Sequence, residues 1–299
     1  MVLESILGEK EARKHPLVMM LFSIALSSVG LWVSYFTFPS TASTLGIAFV
    51  TIAAMPVLYS IFVAEEEEEA EKPGATLTFI ERHFDILKIF GWFFIGLVIS
   101  YSFWYFFLPQ ETRSVVFSEQ EGALGEISDI RNDLTETGEY HGSVVGSDVK
   151  CTNDYWCIFK VVLANNSTVL FLSILISFAY GAGALFLIGW NASVIGVLIG
   201  KDALQSIAFS SSQGPLESVA SYFGSLVNGL SLIPHGLPEI GGYLIGAIAG
   251  CIISVAITKK KYRTHEFQII TKDSLLLTFF AFMLLVVGAL IEAALIVGG

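Results

Sequence analysis

The sequence predicts an all-α fold: a polytopic transmembrane helical bundle of six or seven crossings, with a small extracytoplasmic, β-rich module between the third and fourth spans. Three observations predict it. Of 299 residues, 54% are apolar and 14% charged, and the mean hydropathy is +0.70, outside the usual range of soluble domains. Apolar runs recur at the ~20-residue length that a helix needs to cross a hydrocarbon core of about 30 Å. Basic residues gather in alternate connections, the pattern that cytoplasmic loops carry.

The first run, Leu17 to Phe36, follows Lys10, Arg13 and Lys14. It exceeds the length of a cleavable signal region and reads as an uncleaved anchor, with the N-terminus in the cytoplasm. Thr44 to Ala64 forms the second span, and the connection before it carries no charge. Glu65 to Glu69 and Glu71 then form an acidic run ended by Pro73 and Gly74, which reads as a helix continued into water. Leu77, Ile80, Phe84 and Leu87 fall on one helical face, so the acidic cytoplasmic loop, residues 65–88, is expected to close with an amphipathic helix on the inner surface. Lys72, Arg82 and Lys88 keep it inside. Ile89 to Leu108 is the third span and completes a region over residues 1–108.

Residues 109–163 form the one connection long enough to fold. Ser114 to Phe117, Ser143 to Val145 and Trp156 to Val162 are short alternating or apolar stretches, the basis for expecting strands there. Cys151 and Cys157, within CTNDYWC, are expected to form a local disulfide in an oxidising exterior. Asn165 and Asn166 each satisfy the N-x-[ST] pattern at the mouth of the next span.

The remaining region, residues 164–299, opens with the run Thr168 to Trp190. Ile240 to Ile257 must deliver Lys259, Lys260, Lys261 and Arg263 to the cytoplasm, so an odd number of crossings lies between these runs. Two stretches compete. Ala192 to Ser210 is interrupted by Lys201 and Asp202, and Leu216 to Ile233 contains Glu217 and Asn228. The second is the expected crossing and the first a short re-entrant or interfacial element. Ser274 to Val297 ends the chain outside, with Glu292 near enough to the surface to snorkel.

Polar groups at lipid depth are costly and therefore informative. The richest group is Pro234, His235, Gly236, Leu237, Pro238 and Glu239. One reading makes it a turn into a helix start, with Glu239 capping free amides at the positive end of the macrodipole. The sharper reading is a proton-transfer or cation site at a cavity mouth. Asn191 and Asn228 are candidate buried amides that bridge helices. Gly242, Gly246 and Gly250, like Gly196 with Gly200, repeat the spacing that lets helices approach closely, within one chain or between protomers. No hydrolase, Walker or dinucleotide-binding signature is present, and no pair of carboxylates stands out within the spans. The sequence calls for no cofactor and no metal. A net charge of −11 argues against nucleic acid as a partner.

Asn165-Asn166 opening a span, a glycine-rich helix ending near Asn191, PHGLPE at 234–239 and a following helix with Ile248-Ala249-Gly250 together resemble the stage II sporulation protein M family. The resemblance covers Ala164 to Thr258, with the first three spans and the outer module not obviously shared. In spore-forming bacteria it implies a membrane component of a complex with a cell-wall hydrolase, without established catalysis of its own; similar proteins occur in archaea. The function expected is thus a non-enzymatic scaffold that recruits other membrane or extracytoplasmic proteins within the lipid bilayer, with a homo-oligomer as one arrangement. The alternative is an ion or small-solute channel or transporter with a cavity near Asn191, His235 and Glu239. A third alternative is an intramembrane hydrolase using His235 and Glu239 on water.

Overall fold

A backbone in hydrocarbon must satisfy its own N–H and C=O groups, and this chain does so with long helices. The computed structural model describes residues 15–71, 76–126, 139–140, 149–151, 154–180, 183–209, 214–229, 233–258 and 264–298. The helices are α1 (Leu17–Thr37), α2 (Ala42–Glu71), α3 (Thr76–Phe107), α4 (Gln110–Val116), α5 (118–126), α6 (Tyr155–Tyr180), α7 (Gly183–Phe209), α8 (Pro215–Asn228), α9 (Ile233–Thr258) and α10 (His265–Gly298). Among the described residues seven helices are long and apolar enough to cross a membrane: α1, α2, α3, α6, α7, α9 and α10. The chain is therefore a multi-pass helical membrane protein. Large apolar side chains such as Leu21, Phe36, Phe171 and Phe279 are exposed around the bundle, as a lipid-facing surface requires. Several serines on the inner faces return their hydroxyls to the preceding turn, for example Ser27 Oγ to Ser23 O at 2.7 Å, which pairs those donors at depth; the buried hydroxyls of Ser225 and Ser274 have no such partner.

Helix directions follow from residue pairs. Trp104 Nε1 donates to Ser28 Oγ at 2.9 Å, and Gly96 faces Met20 and Ser23, so α1 and α3 run parallel. Gly196 and Gly200 face Tyr101 and Tyr105, which sets α7 parallel to α3. Gly246 meets Leu170 and Gly250 meets Ile174 and Ser177, so α9 runs with α6, while Gly242 against Ala281 and Leu285, with Glu239 beside Glu292, sets α10 antiparallel to both. One end of the bundle thus holds the Cys151–Cys157 disulfide, the C-terminal ends of α3, α7 and α10, and the start of α9. The fully buried core, with Phe90, Phe93, Leu97, Leu58 and Ile61, sits among α1, α2, α3, α7 and α9.

Three expectations are corrected. The connection between the third and fourth spans is not a β-rich module. Ser114 to Phe117 lies in and just after α4, and Trp156 to Val162 opens α6. Ser143 to Val145 lies outside the described residues. Strand pairing among the described residues is limited to a two-residue ladder, Glu139 opposite Lys150 and Tyr140 opposite Val149. The physical reason is tertiary: α4 and α5 fold back onto the bundle, burying Val116, Phe117 and Gln120. Gln120 Nε2 donates to Ser193 Oγ at 3.2 Å, and Tyr105 donates to Glu121 at 2.8 Å.

The run Thr168 to Trp190 is not one span. The fourth spans Tyr155–Phe178 and the fifth Leu185–Ala208, with residues 181–182 between their helices. Asn165 and Asn166 read as a polar mouth, yet they sit inside α6. Finally, the crossing between them and α9 is α7, and not Leu216 to Ile233. Lys201 and Asp202 interrupt α7 only on its exposed side, so they do not stop it from crossing; α8, at 14 residues, is too short to cross.

Candidate functional site

Three helices bring polar side chains together at the disulfide end of the α6–α9–α10 seam. The glycine face of α9 lets this happen. A Cβ on Gly250 would stand 2.7 Å from both Ile174 O and Ser177 Cβ, and one on Gly242 would stand 2.9 Å from Ala281 O. Both distances are shorter than carbon contacts allow, so only glycine lets α9 lie this close to α6 and α10.

At that close approach, Asn166 of α6, 6% exposed, donates from Nδ2 to Glu239 Oε1 at 2.7 Å. Glu292 of α10 lies beside Glu239, so two carboxyl groups from different helices meet in this seam. A bond between two carboxyl groups needs a proton on one of them, because an ionised carboxylate only accepts. Tyr243 stands one turn beyond Glu239 on α9. The arrangement can hold and pass a proton, and three oxygen-bearing side chains converge on one point.

This placement overturns two readings. Glu239 is not a helix cap: α9 starts at Ile233, so Glu239 lies in its second turn and faces other helices. Glu292 does not snorkel to the surface but turns inward to Glu239. The Glu239–Glu292 pair also escaped the sequence, where each acid stands alone in its own apolar run. The available signal was that isolation, since a single ionisable residue at lipid depth needs a partner from another helix.

The other candidates scatter. Asn191 donates to Leu187 O of its own helix at 2.8 Å and lines a cavity of about 10 Å³ with Ser173, Ile240 and Tyr243. That volume is about one water molecule. Through Tyr243 the cavity adjoins the carboxyl pair. Asn165 is half-buried beside Asn166, and Asn228 is exposed at the end of α8. Gly236 opens the described side chains of α9 and has open space around it. Pro234 and His235 belong to the first turn of α9, but their side chains lie outside the described residues, as do Lys259, Lys260, Lys261 and Arg263. Gly196 and Gly200 close a second seam: a Cβ on Gly196 would stand 2.7 Å from Tyr101 Cβ, and one on Gly200 2.8 Å from Tyr105 Cδ1. Among the described residues no group of three or more His, Cys, Asp or Glu could hold a metal ion.

Comparison with known proteins places these helices in context. Residues 84–295 match the family model described as Stage II sporulation protein M. The match takes in most of α3, the connection after it and nearly all of α10, a wider share than Ala164 to Thr258. An uncharacterized protein of Methanocaldococcus jannaschii is 31% identical over 139 residues, 45% of this chain and 68% of that protein. No solved structure matches the chain.

Proposed function

This chain belongs to the stage II sporulation protein M family, and on that premise we propose that it is a non-enzymatic membrane scaffold that recruits partner proteins. The observation that carries the reading is the closure of its seams. Glycines on α7 and α9 bring neighbouring helices into van der Waals contact, and the cavity beside Asn191 has room for about one water. A conduit needs a continuous polar path, and a glycine-packed seam is built for rigidity instead. These glycines are taken up inside the chain, so a homo-oligomer would use other surfaces.

The basic residues at 10–14 and 259–263 put the N-terminus in the cytoplasm of the cell membrane. The disulfide-bearing connection then lies outside, where it is placed to meet membrane or extracytoplasmic partners. Introduced cysteines at Lys260 and at Ser118 test the sidedness: a membrane-impermeant maleimide added to intact cells is expected to label the second only, and labelling of the first overturns it.

A second reading is favoured by one specific observation. The Glu239–Glu292 pair is the kind of proton or cation site that transporters carry at membrane depth. Reconstitution into liposomes with a proton-sensitive or sodium-sensitive dye inside separates the two. The scaffold predicts the leak of empty liposomes for the native chain and for Glu239→Gln alike. Flux in the native chain that Glu239→Gln abolishes would establish the transport reading in its place.

A further inference from the structure

The fourteen residues of α8 are too few to cross a bilayer, yet their contacts run from the end of the α3 span, where the Tyr222 ring meets Phe106 and Phe107, to well below it. Tyr222, at mid-helix and buried, hydrogen-bonds through its hydroxyl to Ser102 Oγ at 3.0 Å and donates to Ile99 O at 3.3 Å. The α3 span ends at Phe107, so Ser102 and Ile99 stand five and eight residues inside it. At 1.5 Å per residue that is roughly 8 and 12 Å of depth. A second marker agrees. Gly229, just past α8, faces Ile199 of α7, nine residues before the span's end at Ala208, or roughly 14 Å down. The two depths increase along α8, so the helix descends from the disulfide end, antiparallel to α7.

The faces of α8 agree with that placement. Tyr222 packs against Phe106 and Ala203, with Leu226 and Ile207 beside them. Away from that contact, Leu216 (82% exposed), Val219, Phe223 (61% exposed) and Val227 form a bare stripe at helical spacing. The helix's one acid, Glu217, sits in its first turn, where it accepts from the Gly214 N–H at 2.8 Å. Charge is thus kept at the shallow end and apolar area extends to the deep end. Asn228, exposed at the far end, falls at the edge of the stripe.

We propose that α8 is a half-membrane helix whose Leu216–Val219–Phe223–Val227 stripe is seated against the acyl chains of one leaflet, and that it carries the start of α9 down to membrane depth. The occupant is lipid because the stripe continues, at the depth set by Ile99 and Ile199, the bare apolar belt that the crossing helices present around the bundle. The consequence is that α9 starts within the membrane zone and not at its surface. Broken helices with termini at that depth are tolerated where protein surrounds them.

The whole chain in liposomes, with Cys251→Ala removing the thiol that lies outside the disulfide, tests this by spin labels at Leu216→Cys, Phe223→Cys and Val227→Cys. Collisions with oxygen report lipid, and collisions with a water-soluble nickel chelate report water. Oxygen is expected to dominate at Phe223 and Val227, with its excess growing from Leu216 to Val227. Dominance of the nickel chelate at Phe223 and Val227 would put α8 at the aqueous surface and overturn the proposal. Protection from both reagents would show a second copy or another protein on the stripe and overturn it equally.

Discussion

Two seams in this molecule use the same device to different ends. Along α3 and α7, Gly196 and Gly200 receive Tyr101 and Tyr105 in van der Waals packing, and α5 hydrogen-bonds to each of the two helices through Glu121 to Tyr105 and Gln120 to Ser193. Along α6, α9 and α10, Gly242, Gly246 and Gly250 bring the backbones equally close, but here the seam ends in Asn166, Glu239 and Glu292. The small-residue spacing decides how near the helices come. The side chains one turn beyond the glycines decide whether that proximity makes only a rigid contact or also brings polar and acidic groups of different helices together.

The largest effect should come from filling a seam. In Gly250→Val the new side chain meets Ile174 O and Ser177 Cβ, and such overpacking costs about 1–3 kcal/mol or more. Unfolding in mixed SDS micelles is expected to shift to lower SDS by that amount; an unshifted midpoint would mean that α9 does not approach α6 as closely as described. Gly200→Val should behave alike, which would make the two seams mechanically equivalent.

Next come changes that distinguish the seams. Glu239→Ala leaves Asn166 and Glu292 without their partner, and an unsatisfied buried polar group costs about 1–3 kcal/mol. Glu239→Gln keeps both an acceptor for Asn166 and a donor for Glu292, so its SDS midpoint should stay near the native one. A Gln variant as unstable as the Ala variant would show that charge, and not hydrogen bonding, holds the cluster.

Smaller still is Tyr222→Phe, which removes the hydroxyl bonds to Ser102 and Ile99. Interhelical hydrogen bonds in membranes average about 0.6 kcal/mol, and a loss of that order is expected in the same assay. The smallest change is Gly91→Ala. A Cβ there meets nothing within 4 Å, and helix propensity favours Ala over Gly by up to about 1 kcal/mol, so a slight gain in stability is expected. A loss instead would mean that glycines in these helices serve flexibility as well as close approach.

Particular residues show where the sequence was a sufficient guide. Leu17 to Phe36 and Ser274 to Val297 are long uninterrupted apolar runs, and α1 and α10 cover them. The fourth and fifth spans were misread because polarity was taken as a boundary. Asn166 looked like a surface residue, but its amide is satisfied by Glu239. Lys201 and Asp202 looked like an interruption, but both stay on the exposed side of α7. Strand-like alternation at Ser114 to Phe117 failed similarly, because it buries Val116 and Phe117 from a helix and not from a sheet.

By itself the sequence determined that this chain is built of apolar helices long enough to cross a bilayer, six or seven of them, and which glycines repeat at the spacing of close packing. Apolar run length and small-residue spacing are local properties, and the bilayer's thickness converts them directly into structure. Only the tertiary structure decided that Glu239 pairs with Asn166 and Glu292, that α7 crosses, and that α8 packs beside it without crossing. The cost of a polar group at depth depends on whether another helix supplies its partner, and that partner lies far away along the chain.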